Sequence, residues 1–318
     1  MRGVTGVTLG YWQDRDPMEA LVTAGLADSL GYRDLWIGEM ATFDAFALAT
    51  RIGSSATAVS LTIGPLAVAV RDPATLAMGA ASVAALTGRP VHIAVGTSSP
   101  VVVDAWHGRP FVASAGALWA AVDALRPMLA GGRTTPNGYR LRLPPVPATV
   151  TVAAFGPEAV RVAGRVADRM VINLSTPEQA RVSRSRLDHA AASAGRDRVP
   201  LAAWIPAAVD PADEAIEQLR RGVVAYLGVP GYGEMFAAAG FGDLVDLARS
   251  GAHPGEVLAK VPADLVEAVG IVGTQHTCRA RIAEYVAAGV DEIVIVPATA
   301  GDDAGERTMT TLAPGRVP

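Results

Sequence analysis

Residues 91–108 read VHIAVGTSSPVVVDAWHG. A short apolar run stops at Gly96, passes through Thr97, Ser98 and Ser99, and meets Pro100 before a stretch able to wind as a helix. Serine hydroxyls cap exposed amides and proline fits a first helical turn, so the order is strand, polar turn, helix start. A helix start of this kind offers free N–H groups and a partial positive charge to an anionic ligand. The same turn also serves as a plain capped helix in any α/β protein, so its meaning depends on its surroundings.

Outward from this stretch the same unit recurs. Apolar, β-branched runs at 4–10, 34–39, 61–70, 91–96, 149–155, 169–174, 201–209 and 293–296 predict strands. Between them, helical patterns cover 17–30, 44–57, 73–86, 111–130, 158–167, 177–194 and 277–289, the first ended by Gly31. Near-continuous apolar strands separated by helices imply a parallel sheet covered on its outer face. Eight such units make the expected fold an α/β class (β/α)8 TIM barrel, with a doubly wound open sheet as the alternative. One domain spans 1–318, and the long interval 210–275 reads as a helical insertion after strand 7. It contains the turn LGVPGYGEM at 227–235 and helical runs at 236–249 and 255–269, with Tyr232 and Met235 placed to form a lid.

Composition narrows the function. The chain has 318 residues, 50% hydrophobic and 18% charged, with a net charge of −4 that gives no footprint for nucleic acid. No stretch of about 20 uninterrupted apolar residues could span a bilayer. Cys278 is the only cysteine and the N-terminus MRGVTGVTLGYWQD lacks a secretory pattern, so a cytoplasmic protein is expected. Lys260 is the only lysine, which removes the GxxxxGK[ST] phosphate loop and disfavours Schiff-base chemistry. His92, His107, His189, His253 and His276 show no paired-ligand spacing, so no metal is expected; His92 alternates with apolar strand residues and reads as core.

In such barrels the site lies where strands end. Those ends carry Tyr11 and Trp12, Glu39 and Met40, Gly96 to Ser99, Ala154 to Pro157, Asn173 and Ser175, and Trp204. This aromatic and apolar rim, with hydroxyls and glycine amides, suits a flat ring system with a polar tail. Trp12, Met40, Trp106 and Trp204 are the substrate-binding candidates, and Glu39 and His107 the candidates for acid–base work. Each has a structural alternative: Glu39 as a loop acceptor, His107 as a histidine bonded to a carbonyl, the aromatics as packing.

Five stretches, in order, carry a resemblance to a known family: GYRDLWIGEMATFDAFALA, TIGPLAVAVRDPATLAMGAASVAALTGRP, VGTSSPVVVDAWHGRPF, VAAFGPEAVRVAGRVADRMVINLSTPEQ and EAVGIVGTQHTCRARIAEYVAAGVDEIVIVP. The chain resembles the bacterial luciferase-like flavin and deazaflavin oxidoreductases, especially the branch using coenzyme F420. That resemblance implies a ring seated in the barrel mouth against a bulge after Gly64, often with a non-prolyl cis peptide, here placed around Leu66 and Ala67. It implies a cofactor tail held by Gly96, Thr97, Ser98, Ser99 and Val102 and by Ala154, Phe155, Gly156 and Pro157. Glu39 stands where many relatives carry an acid, often followed by histidine; Met40 replaces that histidine, so the mechanism of the family's sugar-phosphate dehydrogenases is not inherited. The implied reaction is hydride transfer between F420 and a small organic substrate with a C=C, C=N or C=O bond. An FMN-dependent monooxygenase and a non-catalytic cofactor-binding protein stay as alternatives. The expected partner is a small molecule, with no nucleic acid or membrane. A homodimer through the helices near strands 2 and 3 is among the implied arrangements.

Overall fold

A computed structural model describes residues 3–10, 12, 14–111, 114–134 and 138–315, so Tyr11 lies outside the described residues. The chain alternates strand and helix: β1 (Gly3–Thr8), α1 (Glu19–Ser29), β2 (Asp34–Ile37), α2 (Ala45–Gly53), β3 (Ser60–Ala67), α3 (Pro73–Thr87) and β4 (Val91–Gly96). A π-helical turn, Val101–Trp106, precedes α4 (Ala115–Leu129), β5 (Val150–Ala153), α5 (Pro157–Val166), β6 (Arg169–Asn173), α6 (Pro177–Ser193) and β7 (Leu201–Val209). After β7 come α7 (Asp213–Leu227), α8 (Tyr232–Phe236), α9 (Gly242–Arg249), α10 (Pro254–Lys260) and α11 (Ala263–Val269). The chain then forms β8 (Ile271–Gly273), α12 (Gln275–Ala287), β9 (Glu292–Pro297) and α13 (Glu306–Leu312). The fold is the (β/α)8 barrel, with β9 as its eighth strand.

Two compact units divide the chain. One comprises Gly31–Val171 and Ser185–Leu201. In it β2, β3, β4, β5 and β6 pair in sequence order, all parallel. Its helices start where side chains cap free amides: Asp44 accepts from the Ala47 N–H, Asp72 from those of Ala74 and Thr75, and Ser114 from that of Ala117.

The other unit comprises Met1–Leu30, Ile172–Arg184 and Ala202–Pro318. Here β9 pairs with β1 and β7. The short β8 lies beside the end of β7, Ala207 opposite Ile271. This three-residue strand is not foreseen from sequence. The predicted helical run 255–269 is two helices, α10 and α11, because Pro262 interrupts it. Val223, Leu227, Phe236, Val245, Val257 and Leu265 form the buried core under these helices.

The β3–β4 register slips between Ile63 opposite Ile93 and Leu66 opposite Val95, so Gly64 and Pro65 form the bulge. Gly64 has φ +117°, and a Cβ there would lie 2.1 Å from the Ala94 carbonyl oxygen. The cis peptide is Gly64–Pro65, a correction to the non-prolyl bond expected around Leu66 and Ala67. Proline supplies the tertiary amide in which the cis form is commonest.

Beneath the bulge a polar cluster is buried. Arg169 donates from Nη1 to Asp34 Oδ2 at 3.1 Å, from Nη2 to Thr62 Oγ1 at 3.0 Å and from Nε to Thr151 Oγ1 at 3.0 Å. The Thr62 hydroxyl also lies 2.8 Å from both Asp34 oxygens, and the guanidinium sits 4.4 Å over the Trp36 ring. One polar residue from each of β2, β3, β5 and β6 therefore meets its partners only in this register. His92, on β4, accepts the Thr149 N–H at 3.0 Å through Nδ1. Burial holds its imidazole below the ordinary value, as does Arg169, while Asp34 works the other way.

Candidate functional site

The C-terminal ends of β2 to β5 lie side by side. Ala67 is opposite Gly96 in the β3–β4 register, and a Cβ on Gly96 would come 3.3 Å from that of Ala153 on β5. A shallow, partly open cleft of about 40 Å³ lies along this rim. From the β2 end it is lined by Glu39 and Met40, and from the β3 bulge by Pro65, Leu66, Ala67 and Val70. Ser98, Val102, Trp106 and His107 complete it beyond β4. Seven of these ten side chains are apolar, while polar atoms make up about half of the surface they expose, so the cleft offers apolar contact together with hydrogen-bonding atoms. Met40 is 42% exposed and Trp106 47%, both far more open than Leu66 at 1%.

The turn after β4 folds as its residues dictate. Ser98 takes φ +61°, and the Ser99 hydroxyl accepts the Val102 N–H at 3.4 Å. The helix then starts not as an α-helix but as the π-helical turn that brings Val102 and Trp106 to one cleft. Such turns are frequent at functional sites. Next along the rim, α5 begins with Pro157 behind Gly156, no side chain caps it, and a Cβ on Gly156 would meet nothing within 4 Å. Gly156, Pro157 and Glu158 at this helix start are all exposed.

Glu39 does not stand alone. Arg71 donates from Nε to its Oε2 at 2.9 Å and from Nη2 to its Oε1, and Nη2 also reaches Asp44 Oδ2. The Ala45 N–H adds a 3.3 Å bond to Glu39 Oε1. The Arg71 guanidinium lies 5.3 Å over the Phe46 ring. Bonding to Glu39, and then to Asp44, holds the guanidinium above its ordinary value despite burial. Burial works against the Asp44 carboxylate, but the Ala47 amide and Arg71 outweigh it and keep it below the usual range. The clamp ties the loop after β2, carrying Met40, to the loop after β3, whose Val70 and Arg71 amides bond back to the Ala67 carbonyl.

Of the residues singled out from sequence, Glu39, Met40, Leu66, Ala67, Ser98, Val102, Trp106 and His107 share the cleft. Gly64 lies buried in the bulge below it, and Gly96, Thr97, Ser99, Ala154, Phe155, Gly156 and Pro157 continue the rim along β4 and β5. Sequence reasoning puts Leu66 to Val70 at the end of strand 3 and Pro65 in the bulge region without naming Pro65 or Val70 as contacts, and it misses Arg71 as a clamp. Arg71 lies inside the quoted RDPATLA motif, but nothing local pairs it with an acid 32 positions away.

In the other unit, Trp12 donates from its indole N–H to the Pro297 carbonyl at 3.1 Å and packs against the buried cluster that contains Ala208, Leu219 and Ala298. Trp204 sits half-buried on β7 opposite Val294. The insertion residues Tyr232 and Met235 dock on the end of β6. Asn173 Nδ2 donates to Tyr232 Oη at 3.2 Å, and Gln179 Nε2 to the Met235 carbonyl at 2.6 Å. Burial pushes the Tyr232 phenol well above its ordinary value, as does the Tyr226 ring 4.7 Å away. Among the described residues, no group of three or more His, Cys, Asp and Glu is arranged to hold a metal, and no helix is long and apolar enough to cross a membrane.

Comparison with known proteins matches residues 4–292 to the family described as luciferase-like monooxygenase. A putative coenzyme F420-dependent oxidoreductase of Mycobacterium tuberculosis is 26% identical over 96% of this chain and 98% of its own length. Among solved structures, the coenzyme F420-dependent tetrahydromethanopterin reductase from Methanopyrus kandleri superposes with a TM-score of 0.79 at 19% identity, covering 98% of each chain. An F420-dependent secondary alcohol dehydrogenase, in complex with an F420–acetone adduct, also gives 0.79, at 18% identity and 99% of each chain. At these identities the superpositions speak for the fold.

Proposed function

The chain belongs to the luciferase-like monooxygenase family, and from that premise we propose that it is a coenzyme F420-dependent oxidoreductase acting on a small organic substrate with a C=C, C=N or C=O bond. The similarity of the chain to F420-dependent proteins along nearly its whole length supports this cofactor over FMN. The observation that carries the reading is the rim itself: an apolar cleft over the β3 bulge, continued by neutral hydroxyls and by the uncapped first turn of α5. Those donors fit a flat ring with an anionic tail, because helix-start amides neutralise a phosphate without a lysine.

When bound, the deazaflavin supplies or accepts a hydride. Leu66 and Ala67 would back its ring, Ser98, Ser99 and the amides after Gly156 would hold its tail, and the apolar side chains would exclude water, the positioning that hydride transfer requires. Glu39 orders the β2 and β3 loops, its oxygens being taken by Arg71 and the Ala45 N–H. His107 is then the other lining side chain whose nitrogens can hydrogen-bond to the substrate.

The test is equilibrium titration of the purified apoprotein with F420 and, separately, with FMN, followed by ligand fluorescence. Tight F420 binding with weak FMN binding is expected. Preference for FMN moves the protein to the monooxygenase reading, and binding of neither refutes the site. The half or more exposed Met78 and Leu86 on α3 favour a homodimer through that helix, which light scattering decides.

A further inference from the structure

We propose that the substrate taken up at this cleft is neutral and apolar, a hydrocarbon-like carbonyl, imine or alkene, held between Met40 and Trp106, and that compounds bearing a carboxylate, phosphate or sulfate are rejected. The proposal rests on the functional reading above for the reaction and on the charge and exposure of the lining for the substrate class.

The first observation is where the open surface lies. Leu66 and Ala67 press on the bulge, whereas Met40 and Trp106 leave close to half of their surface free. Both reach the cleft from loops, Met40 from the end of β2 and Trp106 from the π-helical turn beyond β4. A thioether and an indole on one cleft offer polarizable, adaptable contact to an aliphatic or aromatic body and no positive charge to pair with an anion.

The second observation is the electrostatics. The lining holds one carboxylate, Glu39, and no arginine or lysine. The cation beside it, Arg71, already binds two carboxylates, so Glu39, Asp44 and Arg71 together carry a net charge of −1 (two acids against one base). Asp104 is exposed on the same turn as Val102 and Trp106, and Arg109, the next cation along the chain, lies outside the lining. An anionic substrate would lose its hydration here, find only the neutral donors of Ser98, Trp106 and His107 and no arginine or lysine, and meet the like charge of Glu39. A neutral one loses little and gains apolar contact.

The experiment compares a matched pair, 4-phenyl-2-butanone and 4-(3-oxobutyl)benzoic acid, by calorimetric titration of the protein with and without F420, in wild type, Met40→Arg and Trp106→Ala. In wild type the neutral ketone is expected to bind at least 10-fold more tightly than the acid. Met40→Arg brings a cation to the mouth and should lower that ratio to about 2 or invert it. Trp106→Ala should weaken the neutral ketone at least 5-fold. Equal or tighter binding of the acid by wild type overturns the proposal, as does a ratio unmoved by Met40→Arg, or binding of neither compound in either form. Circular dichroism establishes that both variants are folded. Because the readout is ligand binding, selectivity that survives in protein unable to bind F420 would overturn the cofactor reading and leave the substrate class standing.

Discussion

Replacing Arg169 by methionine tests the buried cluster that sets the strand register. Its side chain is 8% exposed and that of Asp34 10%, so the substitution leaves a buried carboxylate with the Ser60 and Thr62 hydroxyls as its hydrogen-bond donors. Methionine refills much of the space over the Trp36 ring, and the dominant loss is the three guanidinium bonds to Asp34, Thr62 and Thr151. Breaking a buried pair on one side costs about 3–5 kcal/mol, because the remaining charge is uncompensated. At this chain length about 2 °C of melting temperature is lost per kcal/mol, so the midpoint should fall by roughly 6–10 °C at neutral pH. Adding Asp34→Asn should recover about half of that, since a neutral amide tolerates burial and still accepts from Thr62. Differential scanning calorimetry of wild type, single and double variants measures both effects. A single variant melting within 2 °C of wild type refutes the reasoning, and so does a double variant no more stable than the single.

Three more predictions come from neighbouring geometry. Burial keeps the His92 imidazole below its ordinary value, so on acidification the unfolded chain takes up that proton first; stability is full above about pH 6.5 and declines below it. His92→Asn keeps an acceptor for the Thr149 N–H without titrating, and the loss of melting temperature from pH 7.5 to 5.5 should shrink; an unchanged loss argues against the assignment. Arg71→Met frees Glu39 and Asp44 from a clamp whose Arg71 and Glu39 side chains are about a fifth exposed, costing about 1–2 kcal/mol in urea unfolding and several-fold in F420 affinity. If neither quantity moves, the clamp is idle. Gly164→Ala should destabilise by about 1–3 kcal/mol despite the better helix propensity of alanine, because its Cβ would lie 2.5 Å from that of Ala190 and 2.9 Å from the Ala191 nitrogen. A neutral or raised melting temperature would show that α5 and α6 can part.

How far the chain can be understood before folding follows from the range of each interaction. Strands β4 and β7 coincide with their apolar runs, 91–96 and 201–209, because a buried parallel strand writes its whole length in β-branched residues. The Ile271–Gly273 strand leaves no such record; three residues between two helices satisfy either pattern, and only pairing with Ala207–Val209 makes them a strand. The bulge shows the intermediate case. Gly64 and Pro65 are visible as an interruption, yet which residues bulge depends on the register against Ala94 and Val95. At the site, side chains presented by a single turn, such as Ser98, Val102 and Trp106, are found from one stretch of sequence. Glu39 is found too, but its chemistry is not, because Arg71, which occupies both its oxygens, arrives from another strand's loop. That partnership changes what the acid is for. With both oxygens bonded to one guanidinium, the carboxylate pins the loop that carries Met40. Met40, the residue after Glu39, is thus held at the cleft, and the proposed selectivity depends on the same ion pair that occupies its one carboxylate.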